Sequence, residues 1–124
     1  MTSTTDTVEG LMVRNIFGVF GERDGVARAA AIAEIYAADA VLHLGDDVVH
    51  GTQAIDEHVR TLLDGTPGFV FQVLGEAEVD GALGTRAWGF GPEGAAPVVT
   101  GRDVVRVENG RIAQILVFVH PPAG

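Results

Sequence analysis

Asn109 and Gly110 constrain the fold of this 124-residue chain more than any other pair of residues. They separate two runs rich in β-branched residues, 98–107 and 111–119. An Asn-Gly pair between alternating apolar residues is typical of a tight β-hairpin, because both residues tolerate positive φ angles. The sequence therefore predicts a long antiparallel hairpin in this part of the chain.

Asp103 stands out within the first strand of the predicted hairpin. Strand alternation places it on the same face as Val105 and Val107, which are apolar. Burying an unpaired carboxylate is costly, so such a group must be paired with a cation, protonated, or placed at a ligand cavity. Asp103 is therefore the first candidate for a functional residue.

Composition narrows the possible partners. A chain of this length is one domain that buries roughly two-thirds of its unfolded surface. The net charge of −9 argues against nucleic acid and anionic membranes as partners, since both favour basic surfaces. The chain has no cysteine, which excludes disulfides and thiolate chemistry, and no apolar run approaches the ~20 residues of a membrane span. We expect a cytoplasmic protein without a cofactor or metal.

Hydrophobic periodicity predicts helices in the first half of the chain and strands in the second. Thr7, Asp24 and Thr52 are the predicted N-caps of three helices. The predicted helices run from 7 to 21, from 24 to just before 39, and from 52 to 64. The predicted strands are 41–44, 48–50, 69–79, 83–91 and the two hairpin strands. One domain is expected over 8–120, with tails at 1–7 and 121–124.

This order of elements predicts an α+β fold. Helices followed by meandering strands favour three helices packed on one face of a strongly curved antiparallel sheet. Alternating helices and strands would have indicated a parallel sheet instead.

Three segments carry a resemblance to a known family: Tyr-Ala-Ala-Asp-Ala-Val at 36–41, Gly-Thr-Gln-Ala-Ile at 51–55, and Gly-Arg-Asp-Val-Val-Arg-Val-Glu-Asn-Gly-Arg-Ile at 101–112. With the order of elements, they resemble the nuclear transport factor two-like superfamily, and within it the SnoaL-like and ketosteroid-isomerase-like group. The resemblance implies a cone-shaped roll whose helices and sheet enclose an apolar pocket. It does not imply one activity, because folds of this kind host several functions.

The resemblance transfers to individual residues only in part. Asp103 matches the position at which ketosteroid isomerases hold a protonated carboxylic acid that donates a hydrogen bond to an oxyanion. The isomerase general base falls at Leu44 and the oxyanion tyrosine near Ile16, and neither side chain transfers protons. Limonene-epoxide hydrolases of the superfamily use an arginine between two aspartates, and the second pocket aspartate is not evident here. The resemblance thus implies the pocket without the complete mechanism.

Arg86 is the predicted partner of Asp103. It shares a strand face with Trp88 and Phe90, and the superfamily pattern turns that face toward the pocket. An arginine paired with Asp103 would keep the carboxyl ionised and lower its pKa. Such a pair could serve catalysis, or it could be a purely structural buried ion pair.

His43 is the third candidate for proton transfer. Strict alternation places it on the strand face opposite Leu42 and Leu44, away from the pocket, whereas a bulge at Gly45 would turn it inward as a general base. Of the other histidines, His50 is predicted to be structural or at the pocket rim, His58 lies on the third helix beside its inner stripe, and His120 ends the last strand. No histidine pair has a convincing metal-ligand spacing.

Two classes of function remain open from the sequence. The first is a small cofactor-independent cyclase, isomerase, epoxide hydrolase or dehydratase that acts on an apolar metabolite by acid/base chemistry. The second is a non-catalytic domain that binds a small molecule or a partner with the same pocket. The predicted catalytic residues are Asp103, Arg86 and His43; the predicted ligand-binding residues are Trp88, Phe90, Ile16, Phe20, Leu44, Val105, Ile115 and Val117.

The outer face of the predicted sheet suggests a homodimer. Leu116 and Phe118 would lie there beside Val98, Thr100 and Val104. A monomer rarely leaves such an apolar surface exposed, so we expect two copies to pack through it.

Overall fold

The computed structural model describes residues 7–120. The predicted tails lie outside these residues, except for Thr7, which belongs to the first helix cap. The described elements are α1 (Val8–Arg14), which continues as a π-helix (Asn15–Phe20), α2 (Gly25–Ile35), β1 (Tyr36–Leu44), β2 (Asp47–His50), α3 (Thr52–Asp64), β3 (Phe69–Asp80), β4 (Leu83–Pro92), β5 (Val99–Glu108) and β6 (Arg111–His120).

Within residues 7–120, the strands form one curved six-stranded sheet in the order β2-β1-β6-β5-β4-β3. The predicted α+β class, with helices packed on a curved sheet, is confirmed. Four of the five strand pairings are antiparallel, and β1 pairs with β6 in parallel. The expectation of a wholly antiparallel sheet is therefore wrong at this pair. Parallel neighbours need a long connection, and here the chain from β2 through β5 supplies it.

The predicted hairpin is present as β5 and β6. Asn109 and Gly110 form its tip with φ angles of 53° and 76°. Two consecutive positive φ angles are those of a type I′ turn, whose twist matches the twist of the flanking strands. The register that follows pairs Asp103 with Val117 and Val105 with Ile115.

Two of the three predicted helix caps are confirmed. The Thr7 hydroxyl accepts a hydrogen bond from the Gly10 amide at 3.0 Å, and the Asp24 carboxylate accepts one from the Val26 amide at 3.1 Å. The predicted Thr52 cap is wrong, because Thr52 is the first residue of α3. Gly51 occupies the cap position at a φ of 88°, a conformation that glycine adopts without strain.

The predicted end of the second helix is also wrong. The helix ends at Ile35, and the alanine-rich segment from Tyr36 to Ala40 is extended instead of helical. Tyr36 pairs with Ile112 of β6, and the register shifts before Val41. Tyr36 and Val41, on either side of the alanines, pair with β6, and these pairings override the helical preference of the alanines, which is only a weak local bias.

The core lies between the helices and the inner face of the sheet. Its fully buried members come from both layers and include Leu11, Ile35, Leu42, Ile55, Val59, Val105, Ile112 and Ile115. Arg28 is buried and joins two helices, since its Nε lies 2.5 Å from Oδ1 of Asp56 on α3. None of the helices among residues 7–120 is long and apolar enough to cross a membrane.

Candidate functional site

A cavity of about 180 Å³ lies between the inner face of the sheet and the helices. Five strands supply its floor, and the π-helix and α3 supply residues on the helical side. The lining residues are Ile16, Phe20, Leu42, Leu44, His58, Leu62, Phe71, Trp88, Phe90, Val99, Asp103, Val117 and Val119. Apart from Asp103 and His58, these side chains are hydrocarbon or aromatic, so the cavity is apolar with few polar groups.

Strand alternation brings the floor residues together. Leu42 and Leu44 on β1 register with Ile115 and Val117 on β6, and Val117 registers with Asp103. Side chains two residues apart on a strand share a face, so these strands present their inner faces to one space. Asp103 is the carboxyl group that this pattern places among apolar neighbours.

Trp88 holds the Asp103 carboxyl. The indole Nε1 donates a hydrogen bond to Oδ1 of Asp103 at 2.8 Å. The indole reaches the carboxyl by crossing Gly101, where a Cβ would lie 2.3 Å from Cζ2 of Trp88. Only a residue without a side chain leaves that space, so Gly101 is the local feature that permits this contact.

The electrostatics of Asp103 follow from its burial. Its exposed fraction is 5%, and burial raises its pKa far above the ordinary value to about 7, although the hydrogen bond from Trp88 acts in the lowering direction. Among residues 7–120, the indole is the hydrogen-bond donor to this carboxyl, and Oδ2 has no protein partner. Near neutral pH, Asp103 is therefore present in both its protonated and its ionised form, with one oxygen available to a ligand.

Asn15 and Tyr36 form a second buried polar pair. The Tyr36 hydroxyl donates a short hydrogen bond to Oδ1 of Asn15, while the Asn15 amide nitrogen has no partner among the described residues. Burial, and secondly the charge of Asp103, raise the pKa of Tyr36 well above its usual value. Asn15 begins the π-helix, and in this wider turn it and the next residue, Ile16, are both buried.

Most of the residues predicted to surround a ligand lie together in the cavity. The lining includes six of the eight predicted ligand-binding residues: Ile16, Phe20, Leu44, Trp88, Phe90 and Val117. Val105 and Ile115 are fully buried in the core and are not part of the lining. They share the inner face of the sheet but lie farther along β5 and β6 toward the hairpin tip, where the helices cover the sheet.

The predicted ion pair between Arg86 and Asp103 is wrong. The two residues are register partners on β4 and β5, as alternation predicts. The Arg86 guanidinium nevertheless donates a hydrogen bond to the Gly75 carbonyl at 3.0 Å and lies 3.5 Å from a Glu9 carboxylate oxygen. It does not line the cavity. The long side chain leads away from Asp103 to a site where it is 13% exposed: two of its guanidinium nitrogens have polar partners, and Nε is buried without one among the described residues.

His43 is not among the lining residues either. Leu42 and Leu44, its neighbours in β1, line the cavity, and His43 registers with Leu116 on the outer side of the sheet. The bulge that would have turned it inward is not present at Gly45, because pairing with β6 is continuous from Val41 to Leu44. Strict two-residue alternation therefore predicted the strand face of His43 correctly.

Neither His58 nor Asn15 was named as a site residue from the sequence, although helical spacing places each of them on an inward-facing stripe. His58 lines the cavity from α3 and belongs to a stripe at helical spacing with Ile55 and Leu62. Asn15 is four residues from Leu11 and from Val19, so helical spacing placed it on a buried stripe. The pairing of Asn15 with Tyr36 joins two elements and has no signal in the sequence.

Comparison with known sequences identifies the family. The model of the SnoaL-like domain matches residues 13–115. The chain belongs to the SnoaL-like family. This match confirms the resemblance to the nuclear transport factor two-like superfamily that the motifs at 36–41, 51–55 and 101–112 indicated. No curated protein matches this SnoaL-like chain.

Several solved structures share the fold of this SnoaL-like domain. A SnoaL-like protein from Agrobacterium tumefaciens, named as a candidate isomerase, is 20% identical over 89% of this chain and 94% of its own, with a TM-score of 0.82. A candidate polyketide cyclase from Sinorhizobium meliloti is 21% identical over 86% and 92%, with a TM-score of 0.69. A candidate ketosteroid isomerase from Kribbella flavida is 18% identical over 98% and 88%, with a TM-score of 0.69. At these identities the likeness concerns the fold.

Proposed function

We propose that this SnoaL-like domain is a small cofactor-independent enzyme that transfers protons to and from an apolar substrate. The observation that carries the proposal is Asp103, a carboxyl in the lining of an apolar cavity with one oxygen free. Folded chains rarely place an ionisable group in such surroundings without a role, and perturbed groups in clefts are candidates for catalysis. The reaction types that fit are isomerisation, cyclisation, dehydration and epoxide opening.

The chemistry follows from the two forms of Asp103. Because its pKa is about 7, its protonated form donates a proton or hydrogen bond and its ionised form accepts a proton at the same pH. His58 is the other lining side chain able to exchange protons, and it approaches the cavity from α3 while Asp103 approaches from β5. The two groups supply an acid and a base on separate walls, an arrangement suited to moving a proton between two atoms of one substrate.

A test that does not need the natural substrate is hydrogen exchange at carbon. Cyclohexanone exchanges the hydrogens next to its carbonyl for deuterium by acid/base catalysis, and NMR follows this in D₂O. We expect the protein to accelerate exchange near neutral pH and Asp103→Asn to abolish the acceleration. An exposed control, Asp46→Asn, should behave as wild type, since Asp46 lies in a turn outside the cavity. Equal exchange with wild type and Asp103→Asn would contradict the proposal.

The alternative is a non-catalytic domain that binds a small molecule in the same cavity. Leu44 favours it, because an apolar side chain stands where the isomerases of the resemblance hold their base. Binding of cyclohexanone without exchange, in wild type and in Asp103→Asn alike, would support this alternative.

The homodimer and the cytoplasmic location stay predictions. The proposed dimer surface is the outer face of β5 and β6 together with Val98, which directly precedes β5; Phe118 is 52% and Val98 is 46% exposed. Burying such side chains against a second copy would stabilise the pair. Sedimentation at micromolar concentration tests it: a dimer that Phe118→Asp dissociates supports the prediction, and a wild-type monomer contradicts it.

A further inference from the structure

The volume of the cavity limits the size of a ligand. At about 180 Å³, it is smaller than the roughly 300–1,000 Å³ of sites that hold drug-sized molecules. An apolar cavity of about 150 Å³ in another protein binds benzene. The space here therefore corresponds to one six-membered ring with few substituents, and fused rings would extend beyond it toward Val119, a lining residue that is 48% exposed.

The lining limits the charge of a ligand. None of the arginines among the described residues lines the cavity, so His58 is the one lining side chain that could pair with a bound anion, which would also face Asp103. An ammonium group carries three donors, whereas Asp103 offers one free oxygen, because Oδ1 already accepts the Trp88 indole. Burying two charges with unsatisfied donors is unfavourable. An uncharged ligand avoids both problems.

The polar groups limit the chemistry of a ligand. When protonated, Asp103 presents an O–H at Oδ2 to the cavity, and the floor around it is hydrocarbon and aromatic. A ligand with one acceptor oxygen satisfies that donor and leaves its remaining surface to apolar contact. A ligand with several hydroxyl groups would bury them without partners.

We propose that the natural ligand is an uncharged molecule of about one six-membered ring that carries one hydrogen-bond-accepting oxygen, such as a ketone, epoxide or ether, bound against Asp103. This inference rests on the proposed function and names its substrate class. It predicts that fused polycyclic and anionic compounds bind this domain more weakly.

The chain contains one tryptophan, and that residue lines the cavity, so intrinsic fluorescence reports occupancy directly. The probes are cyclohexanone, methylenecyclohexane as its match without an oxygen, 2-decalone as a two-ring ketone, cyclohexanecarboxylate and cyclohexylamine. We expect cyclohexanone to bind about fivefold or more tightly than methylenecyclohexane, which is the effect of one net hydrogen bond. The other three probes should bind at least tenfold more weakly than cyclohexanone.

Two variants connect this binding to Asp103. Asp103→Leu should remove the preference for cyclohexanone over methylenecyclohexane. Asp103→Asn keeps an N–H donor, so it should still bind cyclohexanone but without the loss of affinity that wild type shows as pH rises above 7. Tyr36 and His58 are the other titratable groups near Asp103, and histidine can change charge near neutral pH, so the pH series is repeated in His58→Gln.

The outcomes separate the inference from the proposed function. If 2-decalone, cyclohexanecarboxylate or cyclohexylamine binds as tightly as cyclohexanone, the substrate class is wrong, even where proton exchange occurs. If cyclohexanone binds as expected but its hydrogens do not exchange, the ligand class stands and the enzymatic proposal fails. No fluorescence change with any probe overturns the inference. Should Asp103→Leu not fold, loss of the pH dependence in Asp103→Asn still decides the role of Asp103.

Discussion

Replacing Asp103 with asparagine keeps the shape of the side chain and removes its ability to ionise. The difference in unfolding free energy between wild type and Asp103→Asn therefore reports the electrostatics of this group. In the folded protein its pKa is about 7 because the carboxyl is buried, whereas an aspartate in an unfolded chain has a pKa of about 3.9. The folded state thus holds a proton over a pH range in which the unfolded state has released it.

The sign and size of the effect follow from these two values. Below about pH 4 both states are protonated, and the stability associated with the neutral carboxyl is fully present. As pH rises toward 7 the unfolded state alone ionises, so stability falls, and above 7 the loss is complete. The two pKa values differ by about 3, which corresponds to a loss of about 4 kcal/mol, with about 3 kcal/mol of it between pH 5 and 8. Asparagine does not titrate, so the variant should gain this amount relative to wild type.

Urea unfolding at pH 5, 6, 7 and 8, followed by circular dichroism, measures this difference. Asp46→Asn is the matched control, since Asp46 is an exposed turn residue and its substitution should give a difference that is nearly constant with pH. An ionised Asp103 paired with a cation would give the opposite result, because Asp103→Asn would lower stability by about 3–5 kcal/mol at pH 8. That result, or a difference between wild type and Asp103→Asn that does not change with pH, would refute the reasoning.

Three further substitutions test the contacts around this carboxyl. Trp88→Phe removes the indole donor that acts to lower the pKa of Asp103, so an NMR titration should give a pKa above that of wild type. Gly101→Ala places a Cβ 2.3 Å from Trp88 Cζ2, and we expect urea unfolding to show a loss of about 1–3 kcal/mol. Tyr36→Phe removes the hydrogen-bond donor to Asn15 and should lower the unfolding free energy by about 1–3 kcal/mol.

Each of these predictions has a control. An unchanged pKa in Trp88→Phe would show that the indole does not act on the carboxyl. Gly18→Ala, where the new Cβ meets Ala31 at an ordinary 3.7 Å, should leave stability equal or higher, so a similar effect at both glycines contradicts the crowding argument. Combining Tyr36→Phe with Asn15→Leu removes both polar groups and should recover much of the loss. A double variant less stable than Tyr36→Phe would contradict that account.

The sequence predicted the strands of the sheet better than the transition from α2 into β1. Asn109-Gly110 fixed the hairpin, and two-residue alternation then placed Asp103, Trp88 and Phe90 on the inner face. The start of β1 was missed because the alanines before Val41 favour a helix locally, while the residues on either side of them, Tyr36 and Val41, pair with β6 and keep the segment extended.

Arg86 shows where strand alternation stops being informative. The pattern placed its Cα beside that of Asp103 correctly, but a long side chain can end far from its own Cα. The guanidinium bonds to Gly75 and approaches Glu9, which are 11 and 77 residues away along the chain, and no local pattern indicates such partners. The same limit applies to Asn15 and Tyr36, whose hydrogen bond depends on how a π-helix packs against β1.

The most direct test of this account is the titration of the Asp103 carboxyl itself. Carbon NMR of protein labelled at aspartate Cγ, assigned with Asp103→Asn, gives the pKa with and without cyclohexanone. We expect a midpoint near 7 in the free protein, and a higher midpoint with cyclohexanone, because an acceptor oxygen favours the protonated form. A midpoint below 5, or one that saturating cyclohexanone does not move, would contradict the central claim that Asp103 is a neutral donor in a ligand cavity.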